Sequence, residues 1–312
     1  MPVCDAPFVL AIHGGAGVIE PEALSADEAR VIHAALGAAL EAGHVLLRDG
    51  ETALDAVEAA VIRLEESPCF NAGLGAVFTA EGAHELDAAL MDGHTRRAGA
   101  VAGVRTVRNP VRLARAVMER SAHVLLAGEG AERFADGLPD LERVPNTWFG
   151  TPARHAQLLL AQAREAAPGG GLKGCYFGTV GAVALDRHGR LAAATSTGGM
   201  TNKRFGRIGD SPLIGSGTWA DAHCAVSATG WGEIYIRCAA AHDIAARMAY
   251  GEASLAEASE AVILGEVPAL GGDGGAIAVD AAGHLAMPFS TSGMYRGWID
   301  RHGQRGTRIF RD

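Results

Sequence analysis

The chain has 312 residues, of which 48% are hydrophobic and 20% charged, and it carries a formal net charge of -9. Such a composition supports a compact core and excludes the signature of disorder, while length alone allows one large domain or two small ones. The acidic balance lacks the basic footprint that phosphate backbones require, so nucleic acid is not an expected partner.

The start, MPVCDAPFVLAIHGG, has no basic leader region, and its apolar stretch stops at His13. That is too short for a membrane span, and the expectation is a soluble, unexported protein without a membrane partner. The five cysteines are scattered, with no C-x-x-C. They suggest neither a disulfide framework nor a zinc site, and point to a reduced, cytoplasmic setting.

Along the chain, FVLAI predicts a buried strand ending in a glycine-rich turn over 13–17. Ser25 with Glu28 forms an S-x-x-E capping box, and Val31, Leu36, Leu40 and Leu47 recur at helical spacing behind it. Thr52 with Asp55 opens a second helix, which ends before Pro68, and Asn109-Pro110 opens a third. The stretch PGGGLKGCYFG over 168–178 has no usable period and is the best linker candidate, because strand character begins immediately after it at TVGAVALD.

Strand, turn and strand then form a hairpin around Asp186-Arg187-His188-Gly189. A second hairpin over 275–291 aligns with it residue by residue, from Gly181/Gly275 to Thr197/Thr291. A shared D-x-x-G turn explains the likeness more simply than duplication does. Amphipathic helices in the first half and hairpins in the second predict sheets sandwiched by helices. A doubly wound parallel sheet would need a regular strand and helix alternation that is not evident.

H-E-x-x-H, Walker A, EF-hand and G-x-S-x-G patterns are all missing from the sequence. Hydroxyls, glycines and charges concentrate instead in TSTGG (195–199), GRIGDSP (206–212) and SATGWGE (227–233). Singly, each reads as a turn. With Gly178-Thr179 they offer a nucleophile, a second hydroxyl, oxyanion donors and an ion pair within one half of the chain.

Seven long motifs in order, AIHGGAG (11–17), FNAGLGAVFT (70–79), ELDAALMDG (85–93), GTVGAVALD (178–186), TSTGGMTNK (195–203), GRIGDSPLIGSG (206–217) and GGDGG (271–275), span nearly the whole chain. In these the sequence closely resembles the plant-type L-asparaginases with isoaspartyl peptidase activity, which are N-terminal nucleophile hydrolases. The resemblance implies one α/β domain over 1–312, a four-layer αββα sandwich, cut by its own chemistry into an α chain (1–178) and a β chain (179–312). It implies hydrolysis of β-aspartyl dipeptides and of the side-chain amide of L-asparagine, with no catalytic cofactor, in a homodimer of αβ units.

By that resemblance the scissile bond lies between Gly178 and Thr179. On its own a Gly-Thr junction is an ordinary strand start, but a glycine can adopt the strained angles that expose its carbonyl to the threonine hydroxyl. The freed amine, with an ordinary pKa of about 7.7–8.0, can then serve as base for the same residue's hydroxyl. Thr197 would orient the nucleophile, and Thr229 with Gly230 would supply the oxyanion donors, with Gly232 shaping the rim. Arg207 and Asp210 would grip the α-carboxylate and α-amine of the substrate. Taken alone, they are a surface pair three residues apart.

Asn71 resembles the asparagine that reaches the site from the first half of the chain. The loop around it resembles one that holds a structural sodium through mainly backbone oxygens at Leu64, Glu65, Ser67, Phe70, Ala72 and Leu74. Trp219 and Trp231 stand where relatives frequently differ, which leaves the substrate range open. Two other readings are weighed: a glycosylasparaginase, which shares GDSP and TG-x-G but lacks AIHGGAG, and a non-catalytic small-ligand-binding protein on the same fold.

Overall fold

The computed structural model describes residues 8–20, 22, 24–167 and 178–311, so most of the linker candidate, 168–177, lies outside the described residues, as do Cys4 and Cys175. Strand β1 (Val9–Gly17) leads into helices α1 (Ala26–Asp49) and α2 (Ala53–Glu65), then β2 (Leu86–Asp92), β3 (Ala98–Val104), α3 (Pro110–Arg120), β4 (Leu125–Ala127), α4 (Gly128–Asp136) and α5 (Pro152–Ala166). The second half runs β5 (Val180–Leu185), β6 (Leu191–Thr197), β7 (Thr218–Ala220), β8 (Cys224–Gly230), α6 (Gly232–Cys238), α7 (Ala240–Gly251), α8 (Leu255–Glu260), a π-helical turn, α9 (Val267–Ala269), β9 (Gly274–Asp280), β10 (Leu285–Ala286), β11 (Gly293–Ile299) and β12 (Arg305–Phe310).

Eight strands form one sheet in the order β12-β11-β1-β5-β6-β2-β3-β4, and four form a second in the order β10-β9-β8-β7. The sheets face each other, with β1, β5 and β6 against β8 and β9. Helices α1 to α3 cover the outer face of the large sheet, and α7 and α8 cover that of the small one. This is the four-layer αββα sandwich. All strand pairs are antiparallel except β3 with β4.

The helix starts follow from local chemistry. Ser25 caps α1 through the Glu28 N–H while the Glu28 carboxylate returns to the Ser25 N–H at 3.0 Å, and Thr52 caps α2 through the Asp55 N–H. Gly50 ends α1 in the left-handed region. Leu36, Leu40 and Leu47 of the expected α1 stripe are buried, whereas Val31 is exposed and Ile32 takes its place. Each such burial contributes about 1.5–3 kcal/mol. By length and composition α1 could cross a membrane, but its stripe packs on α2, β1 and β11 as a core helix does. Pro110 opens α3, while Asn109 makes no cap bond and donates to Glu65 instead, at 3.1 Å.

One expectation fails: residues 13–17 are not a turn. They continue β1, whose register with β11 slips between His13 and Gly15, a bulge at which Gly15 has φ +108°. These glycines serve neighbours far away in sequence. A Cβ on Gly14 would meet the Phe70 ring at 2.4 Å, and one on Gly15 would lie 2.3 Å from Gly178 Cα.

The two similar hairpins lie in different sheets. In each, the turn aspartate Oδ1 accepts two backbone N–H groups: Asp186 from His188 and Arg190, Asp280 from Ala282 and His284. Asp300 does the same with His302 and Gln304, in a segment outside the repeat. Three copies of one turn, each with its glycine at positive φ, favour shared turn chemistry over duplication.

Candidate active site

Gly178 and Thr179 lie just ahead of β5, in the large sheet, at the edge of the inter-sheet layer. Gly178 has φ +58°, a left-handed conformation that a side chain would resist. Its carbonyl accepts a hydrogen bond from Asn71 Nδ2 at 2.9 Å, and the same amide group donates to the Gly199 carbonyl at 2.8 Å. The Val77 N–H donates to Asn71 Oδ1 at 2.9 Å, which fixes the amide's orientation. Asn71 is buried, so this is a rigid contact with the carbonyl of the 178–179 bond.

Thr179 is buried, and its hydroxyl donates to Thr197 Oγ1 at 3.2 Å. Thr197, at the end of β6, also accepts the Gly199 N–H at 3.0 Å. Thr229, near the end of β8, accepts the Ala16 N–H on its own hydroxyl oxygen at 3.1 Å, which leaves the hydroxyl proton available to donate. Gly230 follows at φ +156°, and its backbone lies too close to Gly274 for any Cβ. Gly178, Thr179, Thr197, Arg207, Asp210 and Gly230 line one narrow cleft.

Sequence reasoning missed Glu233. Its carboxylate forks the Arg207 guanidinium, with Nε at 2.9 Å and Nη2 at 2.8 Å, and fixes the plane of that side chain. Burial alone would raise the Glu233 pKa, but the Arg207 hydrogen bond and charge prevail, helped by a bond from Trp231, and the net direction is down. Trp231 thus acts on the site through Glu233, while Trp219 bonds Asp221 Oδ2 at 3.1 Å and packs on His242, outside the cleft. Gly232 belongs to the rim, since a Cβ there would lie 2.8 Å from both Arg207 Nη2 and Asp210 Oδ1.

Asp210 is buried, and burial pushes its pKa up to about 7 despite the pull of Arg207. Its Oδ2 has no hydrogen-bond partner among the described residues. An uncompensated carboxylate oxygen at the cleft wall suits an incoming ammonium group.

Beside Thr179, a chain of buried hydroxyls crosses between the sheets. His13 Nε2 lies 2.9 Å from Ser227 Oγ, Ser227 is 2.7 Å from Thr195, and Thr218 is 2.7 Å from Thr195. A Cβ on Gly181 would lie 1.9 Å from Ser227 Oγ, so the glycine is required for this chain to form. Burial lowers the His13 pKa to about 3, only partly opposed by the Thr179 backbone, and the imidazole is neutral at ordinary pH.

The loop from Leu64 to Gly75 carries Asn71. Gly73 and Gly75 have positive φ, and a Cβ on them would lie 2.3 Å from the Glu65 carbonyl oxygen and 2.7 Å from that of Phe70. The glycines therefore let carbonyls crowd together, a donor set that fits a hard cation held by backbone oxygens. No cluster of three or more His, Cys, Asp or Glu side chains suited to a metal occurs among the described residues. The Glu65 side chain turns instead to its neighbours, accepting from Ser196 Oγ, the Val111 N–H and Asn109. Burial raises its pKa to about 8, ahead of the lowering effect of these bonds.

Comparison with known proteins places the chain among relatives along nearly its whole length. A family model described as asparaginase matches residues 6–309. An isoaspartyl peptidase of Salmonella typhimurium is 53% identical, over 97% of this chain and 99% of its own. An isoaspartyl peptidase of Escherichia coli is 54% identical, over 97% and 96% respectively. A plant-type L-asparaginase of Pyrobaculum calidifontis is 42% identical, over 93% and 96%.

Proposed function

The chain belongs to the asparaginase family, and from that premise we propose that it is an amidohydrolase of β-aspartyl dipeptides and L-asparagine, activated by cutting itself between Gly178 and Thr179. The observation that carries this reading is the junction itself: the Thr179 hydroxyl is oriented by Thr197, and the Gly178 carbonyl is polarised by Asn71. In the first reaction Thr179 Oγ attacks the Gly178 carbonyl carbon, the peptide C–N bond breaks, and the nitrogen takes the proton. Water then hydrolyses the ester, which leaves a Gly178 carboxylate and a free Thr179 amine.

In turnover the amine accepts the hydroxyl proton, and Thr179 attacks the side-chain carbonyl of the substrate. The Thr229 hydroxyl and the Gly230 N–H face the developing oxyanion, where one donor is worth about 3–4 kcal/mol. Arg207, held by Glu233, takes the α-carboxylate, and Asp210 takes the α-ammonium. L-Aspartate leaves after hydrolysis of the acyl-enzyme. Such a wall selects the free aspartyl zwitterion, and an α-aspartyl peptide, whose α-carboxyl is already in the amide, leaves Arg207 unpaired.

A glycosylasparaginase and a non-catalytic binding protein are both less well supported than this reading by the near full-length identity to isoaspartyl peptidases. A sodium ion on the carbonyls of Leu64, Glu65, Ser67, Phe70, Ala72 and Leu74 would stiffen the loop that carries Asn71 and take no part in the chemistry. We further assign the mature enzyme to a homodimer of αβ units in the cytoplasm, in keeping with the free state of Cys69, Cys224 and Cys238.

The test is a Thr179→Ala variant, expected to fold, to remain one chain on a denaturing gel and to release no ammonia from asparagine. Thr179→Ser should retain part of the processing. Cleavage of Thr179→Ala at the same bond would defeat the assignment.

A further inference from the structure

A second, larger cavity adjoins the narrow cleft. It has a volume of about 450 Å³ and is lined by Ala16, Phe70, Asn71, Arg154, Gln157 and Tyr295 among others, with Gly178 as the residue it shares with the cleft. Gly178 thus stands between the two spaces. Cleavage of the 178–179 bond with departure of the Gly178 end would join them, with Thr179 at the junction.

The channel has a direction. The cleft around Arg207 and Asp210 is narrow, with space in the uncut chain for about one water-sized sphere, and leaves no room for a second amino acid. Thr229, the oxyanion donor, is bonded to Ala16, which lines the larger cavity, so the reacting carbonyl sits where the two spaces meet. The far side of a scissile amide must then extend into the larger cavity.

Among the described residues that line it, Arg154 is the one cation, and it has no carboxylate partner. Arg154, near the start of α5, donates from Nε to the Gly75 carbonyl at 2.7 Å and from Nη1 to Gln157 at 2.9 Å. Nη2 makes no hydrogen bond among the described residues, and no carboxylate of these lies within 4 Å of the guanidinium. Burial brings its pKa down to about 10, which still leaves it charged near neutral pH. A half-buried cation without a counter-ion carries a desolvation cost that an arriving anion offsets in part. Glu20, exposed at the rim, is the carboxylic side chain that lines this space.

We infer that Arg154 binds the α-carboxylate of the amino acid that leaves from a β-aspartyl dipeptide, making it a specificity-determining residue for the leaving side of the substrate. The inference rests on the isoaspartyl peptidase reading. It explains how one site could treat a dipeptide and asparagine differently: both fill the cleft around Arg207, but only the dipeptide reaches Arg154.

The experiment compares processed wild type, Arg154→Gln and Arg154→Lys on β-Asp-Leu, β-Asp-Leu amide and L-asparagine. Wild type should favour the free acid over the amide by about tenfold or more in kcat/KM, mainly through KM. In Arg154→Gln the ratio of acid to amide should fall to near one, and Arg154→Lys should restore part of it. A wild type indifferent to amidation would overturn the inference, as would a ratio that persists in Arg154→Gln because all three substrates slow together. The latter would mean that Arg154 only braces the Gly75 loop. If processed wild type hydrolyses none of the three, the underlying reading itself falls.

Discussion

The bond between Gly178 and Thr179 has two unlike sides. Ahead of it, the first half of the chain supplies glycines that permit close approach and Asn71, whose amide grips the Gly178 carbonyl. Beyond it, residues 197–233 supply hydroxyls and charges, with Arg207 fixed by Glu233 and Asp210 left with an unpartnered oxygen. On the proposed reading, Asn71 on the first side serves a bond that is broken once, while Arg207 and Asp210 on the second serve the aspartyl part of substrates that arrive repeatedly. Substitutions on the two sides should therefore separate processing from turnover.

The largest separation is expected at Asn71. Asn71→Ala should slow self-cleavage by about 10²–10³-fold, as loss of an oxyanion donor does, while the fraction that does cleave turns over with a much smaller deficit. Densitometry of the two chains over time, set beside activity per cleaved molecule, measures both quantities. Equal losses in the two would erase the distinction. On the other side, Arg207→Ala should cleave itself normally and lose about 30- to 1000-fold in kcat/KM, by a similar factor for asparagine and β-Asp-Leu. Unequal losses would place Arg207 on the leaving group rather than on the common aspartyl part.

The smallest effect concerns stability. An Asp210 pKa of about 7 in the folded state, against about 3.9 unfolded, means that between those values the native protein holds a proton that the unfolded chain has released. Stability then falls as pH rises through this window. Asp210→Asn removes that slope, so its Tm should exceed that of wild type by a few degrees at pH 8 and by less at pH 5. A parallel offset at both pH values would show that the carboxylate ionises without penalty. Lowering the pH below 6.5 should weaken wild type for a separate reason, because the unfolded chain takes up a proton that buried, neutral His13 refuses down to about pH 3.

What the sequence made legible was what is local. The Ser25–Glu28 box, the Thr52 cap and the D-x-x-G turns are each complete within four or five residues, and all form as their spacing requires. The glycines of 13–17 were misread because their reason for being glycine lies elsewhere, in Phe70 and Gly178. Glu233 was missed for the same kind of reason. It meets Arg207 across 26 positions, and nothing near either residue signals the pair. Thr179, Thr197, Arg207, Asp210 and Asn71 were found through long motifs shared with a family, and Thr229 through the short TG-x-G segment; the fold brings all six to one junction.

The order of strands in the large sheet decides what a cut after Gly178 can do. Strand β1 comes from the first half yet lies between β11 and β5 of the second, and β2 pairs with β6 across the same divide. The halves are interleaved like the fingers of two hands. Severing the backbone therefore frees no piece, because each half would have to abandon ladders on both of its flanks before it could depart. The same interleaving makes the junction a product of both halves: Asn71 comes from one and Thr197 from the other, so a chain whose halves have not come together lacks the contacts that hold Gly178 and Thr179.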